Sequence, residues 1–210
     1  MLKKLFIITA IVIIAWGNSF AQCMHDSTNI IGVNLGLGVY NIVLNDKGYN
    51  SSNNGRTGEV DYTLTYDRGI TDRLTIGGFF RYRGFLLAPD TNVAEINVAY
   101  GFDFCVDGAF HFVRSRHVDL YIGADLGFGY IKLADDNLSN QGVFTAGGIA
   151  YGLTLGSRFY IGNHVGITFN FGYAGYEYPN GLVRGGGGYT DHWSLFFTGS
   201  TYTLGLCYRI

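Results

Sequence analysis

Residues 31–39 read IGVNLGLGV, and every second side chain in this stretch is apolar. The positions between them hold only glycine and asparagine. Alternation with a period of two predicts a β-strand that has one apolar and one polar face. A helix would instead require apolar residues every three or four positions.

Seven further runs alternate in the same way, so the sequence predicts an all-β protein with eight antiparallel strands. The runs occupy residues 59–67, 74–83, 95–107, 118–130, 149–159, 165–176 and 196–210. The connections between the runs are alternately long and short. The longest are 45–58 and 177–192, and the shortest is the Gly-Asn pair at 162–163. This order predicts an up-and-down meander with loops at one end and turns at the other.

The first 21 residues have the organisation of a secretory signal peptide. Lys3 and Lys4 precede an apolar run of twelve residues, and Ser19 and Ala21 are small residues before the expected cleavage. The run is shorter than the roughly 20 residues that a membrane-spanning helix needs. We therefore expect a signal peptide at 1–21, export through the Sec pathway, and one domain at 22–210.

Composition and motifs exclude several classes of function. The chain has 14 Lys and Arg against 16 Asp and Glu, which is no basic footprint for nucleic acid. Cys23, Cys105 and Cys207 do not form a disulfide framework, although a bridge between Cys23 and Cys207 stays open. The GGGG stretch at 185–188 lacks the strand, helix and lysine of a phosphate loop, and no His/Cys cluster suggests a metal. We expect no cofactor.

The composition of the polar face decides between two kinds of barrel. A soluble barrel places its apolar face inward and its polar face in water, whereas a membrane barrel does the reverse. Here the polar face consists mainly of Gly, Thr, Asn and Asp, which suits a narrow, crowded lumen better than bulk water. The apolar face also carries Tyr near both ends of the strands, as in the aromatic girdles of membrane barrels.

The closing segment TLGLCYRI (203–210) and the hairpin-like stretch YDRGITDRLTIGG (66–78) complete this pattern. With its export signal and eight amphipathic strands, the chain resembles the small outer-membrane β-barrel family, of the OmpA-transmembrane-domain and OmpW kind. The resemblance implies an eight-stranded antiparallel transmembrane barrel in the cell outer membrane. It also implies insertion by the barrel-assembly machinery, whose terminal signal matches Thr203, Gly205 and Tyr208. Ile210 stands where the family usually has Phe.

The polar face carries charges that would meet inside a narrow lumen. Because unpaired buried charges are costly, we expect a structural charge network that leaves the lumen largely filled. Its candidate members are Asp61, Arg81, Arg83, Glu95, Asp103, Asp125 and Arg158. Glu95 and Asp103 are the expected partners of Arg81 and Arg83. The alternative is a gate or ion path that opens when such pairs break.

The sequence favours a catalytic function less than a non-catalytic one. Asp191, His192 and Ser194 lie close together at the end of the last predicted loop, but short local constellations rarely form a triad. His111, His117 and His164 flank short turns, where solvation is expected. Tyr49, Tyr178 and Tyr189 fall in predicted loops. We therefore expect a protein that is not an enzyme, with a lipid-A-modifying barrel enzyme using His192 and Ser194 as the alternative.

The sequence thus predicts an integral outer-membrane β-barrel protein with a structural or loop-mediated binding role. The alternative is a narrow porin-like channel or a transport path for small or hydrophobic solutes. The expected partners are outer-membrane lipid, lipopolysaccharide and the assembly machinery, together with an unidentified extracellular ligand of the loops.

Overall fold

The structure is a computed structural model that describes residues 27–46, 51–86, 96–135, 143–184 and 190–210. Eight strands run through these residues, each antiparallel to its neighbours, and the last strand pairs with the first to close a barrel. The predicted eight-stranded antiparallel barrel is therefore confirmed. The strands are β1 (Asn29–Asp46), β2 (Ser51–Gly69), β3 (Leu74–Leu86), β4 (Ile96–Arg114), β5 (Val118–Asp135), β6 (Val143–Ile161), β7 (Val165–Arg184) and β8 (Thr190–Arg209). In the described part of the chain, no helix has the length and apolarity to cross a membrane.

The predicted apolar face points outward on every strand. Leu35 on β1, Leu126 on β5 and Leu206 on β8 are 52%, 62% and 62% exposed. Tyr66 and Tyr208 lie outward at the end with the short turns, and Tyr82 and Tyr173 lie outward towards the loops. A continuous apolar exterior bordered by Tyr is stable in lipid rather than in water, so this exterior is the lipid-facing belt.

The strands are longer than the sequence pattern suggested, and two predicted loops are wrong in extent. The predicted 45–58 loop is largely strand, because β1 and β2 remain paired up to Asp46 and Ser51. The predicted 177–192 loop is also mostly strand, since β7 continues to Arg184 and β8 begins at Thr190. Backbone hydrogen bonds between strands do not require an apolar face. The strands therefore continue beyond the lipid-facing belt, where the sequence no longer alternates between apolar and polar residues.

The ladder on β7 is irregular near its loop end. Its register shifts against β6 between Thr145 and Ile149, and against β8 between Tyr178 and Gly181. Pro179 lies within this stretch and has no amide hydrogen to donate to a ladder. The register of the ladder therefore shifts on both sides of one strand at the same height.

The inward side chains form layers along the barrel axis. An apolar cluster fills the loop end and includes Ile42, Leu44, Phe144, Leu195 and Phe197. Charged and polar side chains occupy the middle. A smaller apolar group closes the turn end and consists of Ile30, Tyr160 and Cys207. Apolar groups thus lie at both ends of the lumen, and the charged side chains lie between them.

Candidate functional site in the barrel interior

Arg83 on β3 lies at the centre of the first charged group, here called the upper cluster (Glu59, Arg83, Asp103 and Tyr178). Its guanidinium donates to Asp103 Oδ1 over 3.0 Å and to the Tyr178 hydroxyl over 2.6 Å, and its Nη1 lies 3.5 Å from Glu59 Oε2. The Arg83, Glu59 and Asp103 side chains are at most 1% exposed. One cation is therefore held between two carboxylates, which offsets much of the cost of burying all three.

Aromatic rings enclose the upper cluster from the loop side. The Arg83 guanidinium carbon lies 3.8 Å from the centroid of the Tyr176 ring, a distance at which the ring face attracts a cation. Tyr176 and Tyr178 stack with their planes 2° apart. Tyr40 packs against Tyr176 and donates its hydroxyl hydrogen to Glu59 Oε1 over 2.8 Å. These rings belong to the apolar cluster of the loop end and connect it to the charges.

A second charged group, the lower cluster, lies nearer the turns and consists of Asp67, His111, Asp119 and Arg158. Arg158 Nη2 donates to Asp67 Oδ2, and Arg158 Nη1 lies 3.5 Å from Asp119 Oδ2. His111 Nδ1 is 2.7 Å from Asp119 Oδ1, and its Nε2 is 3.1 Å from Thr75 Oγ1. His111 and Asp119 have no exposed surface. The cluster links β2, β3, β4, β5 and β6 across the lumen.

Thr75, His111 and Asp119 follow the hydroxyl–imidazole–carboxylate order of a nucleophilic relay. Thr75 is only 4% exposed and does not line the interior cavity described below. The Asp119 carboxylate contacts Arg158 as well as His111. These contacts satisfy polar groups that are buried in the lumen.

Between the two clusters lies a cavity of about 100 Å³, here called the central chamber. Arg81 and Asp125 line it on the side of the upper cluster, and Asp67, Asp107 and Arg158 line it on the side of the lower cluster. Threonine and asparagine side chains form much of the remaining wall. A polar space of this size accommodates a few water molecules, and its lining extends to Ile30 and Cys207 of the turn-end group.

The structure divides the predicted network between these groups. Arg83 and Asp103 lie in the upper cluster, and Arg158 lies in the lower cluster. Asp61 is fully buried and accepts a hydrogen bond of 2.8 Å from Thr63. Asp125 lines the chamber.

Among the described residues, Arg81 donates to the Tyr176 hydroxyl over 2.9 Å. Glu95, its expected partner, lies outside the described residues. The carboxylates beside Arg83 are Glu59 and Asp103.

Several residues of the site were not predicted. Glu59 and Asp67 alternate with Asp61 on the inward face of β2, so the period of two already placed them in the lumen. Tyr178 was assigned to a loop, but it is fully buried on β7. Its neighbours Pro179 and Asn180 are residue types typical of loops, so the sequence does not indicate that the strand continues.

The prediction that His111 is solvated is also wrong. His111 is buried, because β4 continues to Arg114 and His111 lies on the inward face of this strand. His117 and His164 are exposed. At the other end, His192 is exposed, whereas Ser194 is 6% exposed. Within the described residues no hydrogen bond joins His192 to Ser194.

Asp191 contacts the two residues that follow it. Its carboxylate accepts from the His192 amide over 2.7 Å and from Trp193 Nε1 over 3.1 Å. Cys105 and Cys207 are free and buried, and Cys23 lies outside the described residues.

Comparison with known proteins supports the fold. No protein-family model and no curated protein matches the chain. The structure is similar to the crystal structure of the outer membrane protein OprG from Pseudomonas aeruginosa, with 12% sequence identity over 90% of this chain and 99% of that chain and a TM-score of 0.60. It is also similar to the solid-state NMR structure of the outer membrane protein AlkL in DMPC bilayers, with 14% identity, coverage of 89% and 91%, and a TM-score of 0.54. Ail of Yersinia pestis matches with 16% identity, coverage of 89% and 100%, and a TM-score of 0.45.

At these identities the shared property is the architecture. A closed eight-stranded sheet with a lipid-facing belt and a polar interior is the architecture of the small outer-membrane barrels. The chain has the fold of the small outer-membrane β-barrels, and the resemblance to the OmpA and OmpW kind is confirmed at the level of the fold.

Proposed function

We propose that the protein is a closed barrel with a structural or loop-mediated binding role, and that its lumen does not conduct ions steadily. The observation that carries the proposal is the burial of Arg83 between Glu59 and Asp103 beneath a layer of Tyr rings. An ion crossing the lumen would have to displace this cation, separate its partners and move the aromatic side chains. The lower cluster is a second barrier of the same kind.

Single-channel recording of the refolded protein in a planar bilayer tests this proposal. The unmodified protein is expected to give no steady conductance. Arg83→Ala removes the central side chain and is expected to produce openings. Arg56→Ala, an exposed position near the loop end, serves as the matched control and is expected to stay silent. Steady conductance of the unmodified protein would contradict the proposal.

A second candidate is a lateral path for small hydrophobic solutes. The observation that favours it is the coincidence of the register shifts around Pro179 with the apolar cluster in the loop end of the lumen. A solute could leave this cluster through the wall without crossing the charged layers below.

Uptake of a fluorescent hydrophobic solute by proteoliposomes tests the lateral path. Pro179→Val supplies an amide hydrogen to the ladder and is expected to slow uptake. Arg184→Gln, an exposed position on the same strand, is expected to leave it unchanged. Equal rates with empty liposomes and proteoliposomes would exclude the path.

We further propose that the end of β8 is read by the barrel-assembly machinery. Tyr208 and Ile210 lie exposed on the lipid-facing side, and Thr203 and Gly205 lie on the inner side of the same strand. Tyr208→Ala is expected to lower the folded fraction in the outer membrane, measured as heat-modifiable mobility on a gel. Ile210→Phe is expected to maintain or raise it. An unchanged yield for Tyr208→Ala would argue against this role.

A further inference from the structure

Arginine side chains gather at the end of the barrel that carries the short turns. This group, here called the arginine rim, consists of Arg68, Arg73, Arg114, Arg116 and Arg209. The carboxylates of Asp67 and Asp119 at this end are buried in the lower cluster. Asp72, with a side chain 54% exposed, is the one exposed carboxylate side chain among the described residues of this end.

Within the described ranges, Arg68 and Arg73 are exposed and form no ion pair. Arg114 lies 4.0 Å from Asp72. Arg116 donates to Asn163 Oδ1 over 3.1 and 3.3 Å, while Arg209 donates to the Asn163 backbone oxygen over 2.6 and 2.8 Å. Arg116 and Arg209 therefore lie close together, on either side of Asn163. Such a concentration of like charge favours an anionic partner.

The position of Arg68 indicates what that partner is. Arg68 is exposed and lies on the same outward face of β2 as Tyr66, two residues nearer the turn. Its β3 neighbour Ile76 is 51% exposed and belongs to the belt. Lipid-facing basic side chains extend towards the membrane surface, so the Arg68 guanidinium lies at the level of the lipid headgroups.

The opposite end of the barrel has a different charge pattern. There the described basic side chains Arg56, Lys132 and Arg184 are mixed with the acidic side chains Glu177 and Asp191. Among the residues that the structure describes, the excess of positive charge therefore lies at the turn end. In outer-membrane barrels the short turns face the periplasm, and the adjoining leaflet is the inner one.

We propose that the arginine rim is a binding surface for the phosphate groups of anionic phospholipids in the inner leaflet. Guanidinium groups bind phosphate oxygens with paired, charge-assisted hydrogen bonds. Arg68 reaches the headgroups from the side of the barrel, and Arg73 reaches them from the adjacent turn. The surface is independent of the lumen, so it does not depend on whether the barrel conducts.

Electron spin resonance of spin-labelled lipids in phosphatidylcholine vesicles tests the proposal. The measured quantity is the association of labelled phosphatidylglycerol with the refolded barrel, relative to labelled phosphatidylcholine. For the unmodified protein this ratio is expected to be about threefold or more at low salt and to approach unity at high salt. R68Q/R73Q is expected to bring the ratio close to unity already at low salt. R56Q/R184Q removes the same charge from two exposed arginines at the other end and is expected to retain the preference.

Three results would overturn the proposal. The first is an absence of preference in the unmodified protein, and the second is an equal loss in the two double variants. The third is rim-dependent cosedimentation with purified peptidoglycan without a preference for phosphatidylglycerol, which would identify the cell wall as the partner. Heat-modifiable mobility confirms folding of each variant, and R68Q alone replaces the double variant if that protein does not fold.

Discussion

At the scale of single residues, the interior depends on charges that have no access to bulk water. Arg83 and Arg158 each lie between two carboxylates that are themselves buried. Removing one partner of such a group leaves the remaining charges uncompensated, which is far more destabilising than the net contribution of an intact pair. The effect of a substitution on stability therefore depends on which buried charges lose their partner.

Arg83→Met shows this effect most directly. It leaves Glu59 and Asp103 facing each other without their cation, so we expect the free energy of unfolding to fall by about 3–5 kcal/mol. Urea titration of the barrel in lipid vesicles measures the change. Arg56→Met, at an exposed site, is the control and is expected to shift stability by no more than about 0.5 kcal/mol. Equal effects at the two positions would show that the upper cluster contributes no special stability.

His111→Phe tests the lower cluster. The substitution keeps a ring of similar shape but removes the contacts to Thr75 Oγ1 and Asp119 Oδ1, so we expect a loss of about 1–3 kcal/mol. Urea unfolding in the same vesicles reports the loss. His192→Phe, at an exposed position, should leave the unfolding midpoint in place. A solvated His111 would make the two variants indistinguishable.

At the scale of strands, alternation in the sequence was enough to assign inward and outward faces along β1 to β8. It did not reveal where the strands end. The segments 51–58 and 177–184 are polar or contain Gly and Pro, yet their backbones remain paired. Nor did it reveal the partners within the lumen. Arg158 meets Asp67 and Arg83 meets Tyr178 across the interior, and the stagger of the closed sheet sets these contacts.

Close backbone approach at the closing seam is a second property of the strands. Gly199 on β8 lies against the Val39 carbonyl oxygen, and a Cβ atom built there would lie 2.7 Å from Tyr40 Cα. We expect Gly199→Ala to destabilise the barrel by about 1–3 kcal/mol. Gly55→Ala is the control, because a Cβ there meets nothing within 4 Å. Comparing the urea midpoints of the two variants decides whether the seam requires glycine.

At the scale of the whole molecule, the barrel has an apolar exterior and a polar interior. The cost of placing a charge on the exterior therefore depends on the depth of that position in the membrane. Leu155 and Ile161 are both exposed on β6, 53% and 70% respectively. Leu155 lies within the belt, and Ile161 lies at the turn end.

Leu155→Arg is expected to lower the free energy of unfolding in vesicles by about 2–4 kcal/mol, and Ile161→Arg by about 0–1 kcal/mol. The chemical change is the same, so the difference isolates the depth in the lipid. Equal losses for the two variants would show that this face of β6 does not contact the hydrocarbon region.

The pairing of β1 with β8 also determines the order in which the barrel can form. Seven of the eight seams join strands that are consecutive in the chain, so each can form as a local hairpin. The eighth joins Ile30 to Arg209, and its chain-closure entropy is the largest of all. Until that seam forms, two strand edges have unsatisfied backbone groups that lipid cannot hydrate. We therefore expect closure to be the slow step of assembly, and we expect substitutions on β1 or β8 to alter the rate of insertion more than equivalent substitutions on β4 or β5.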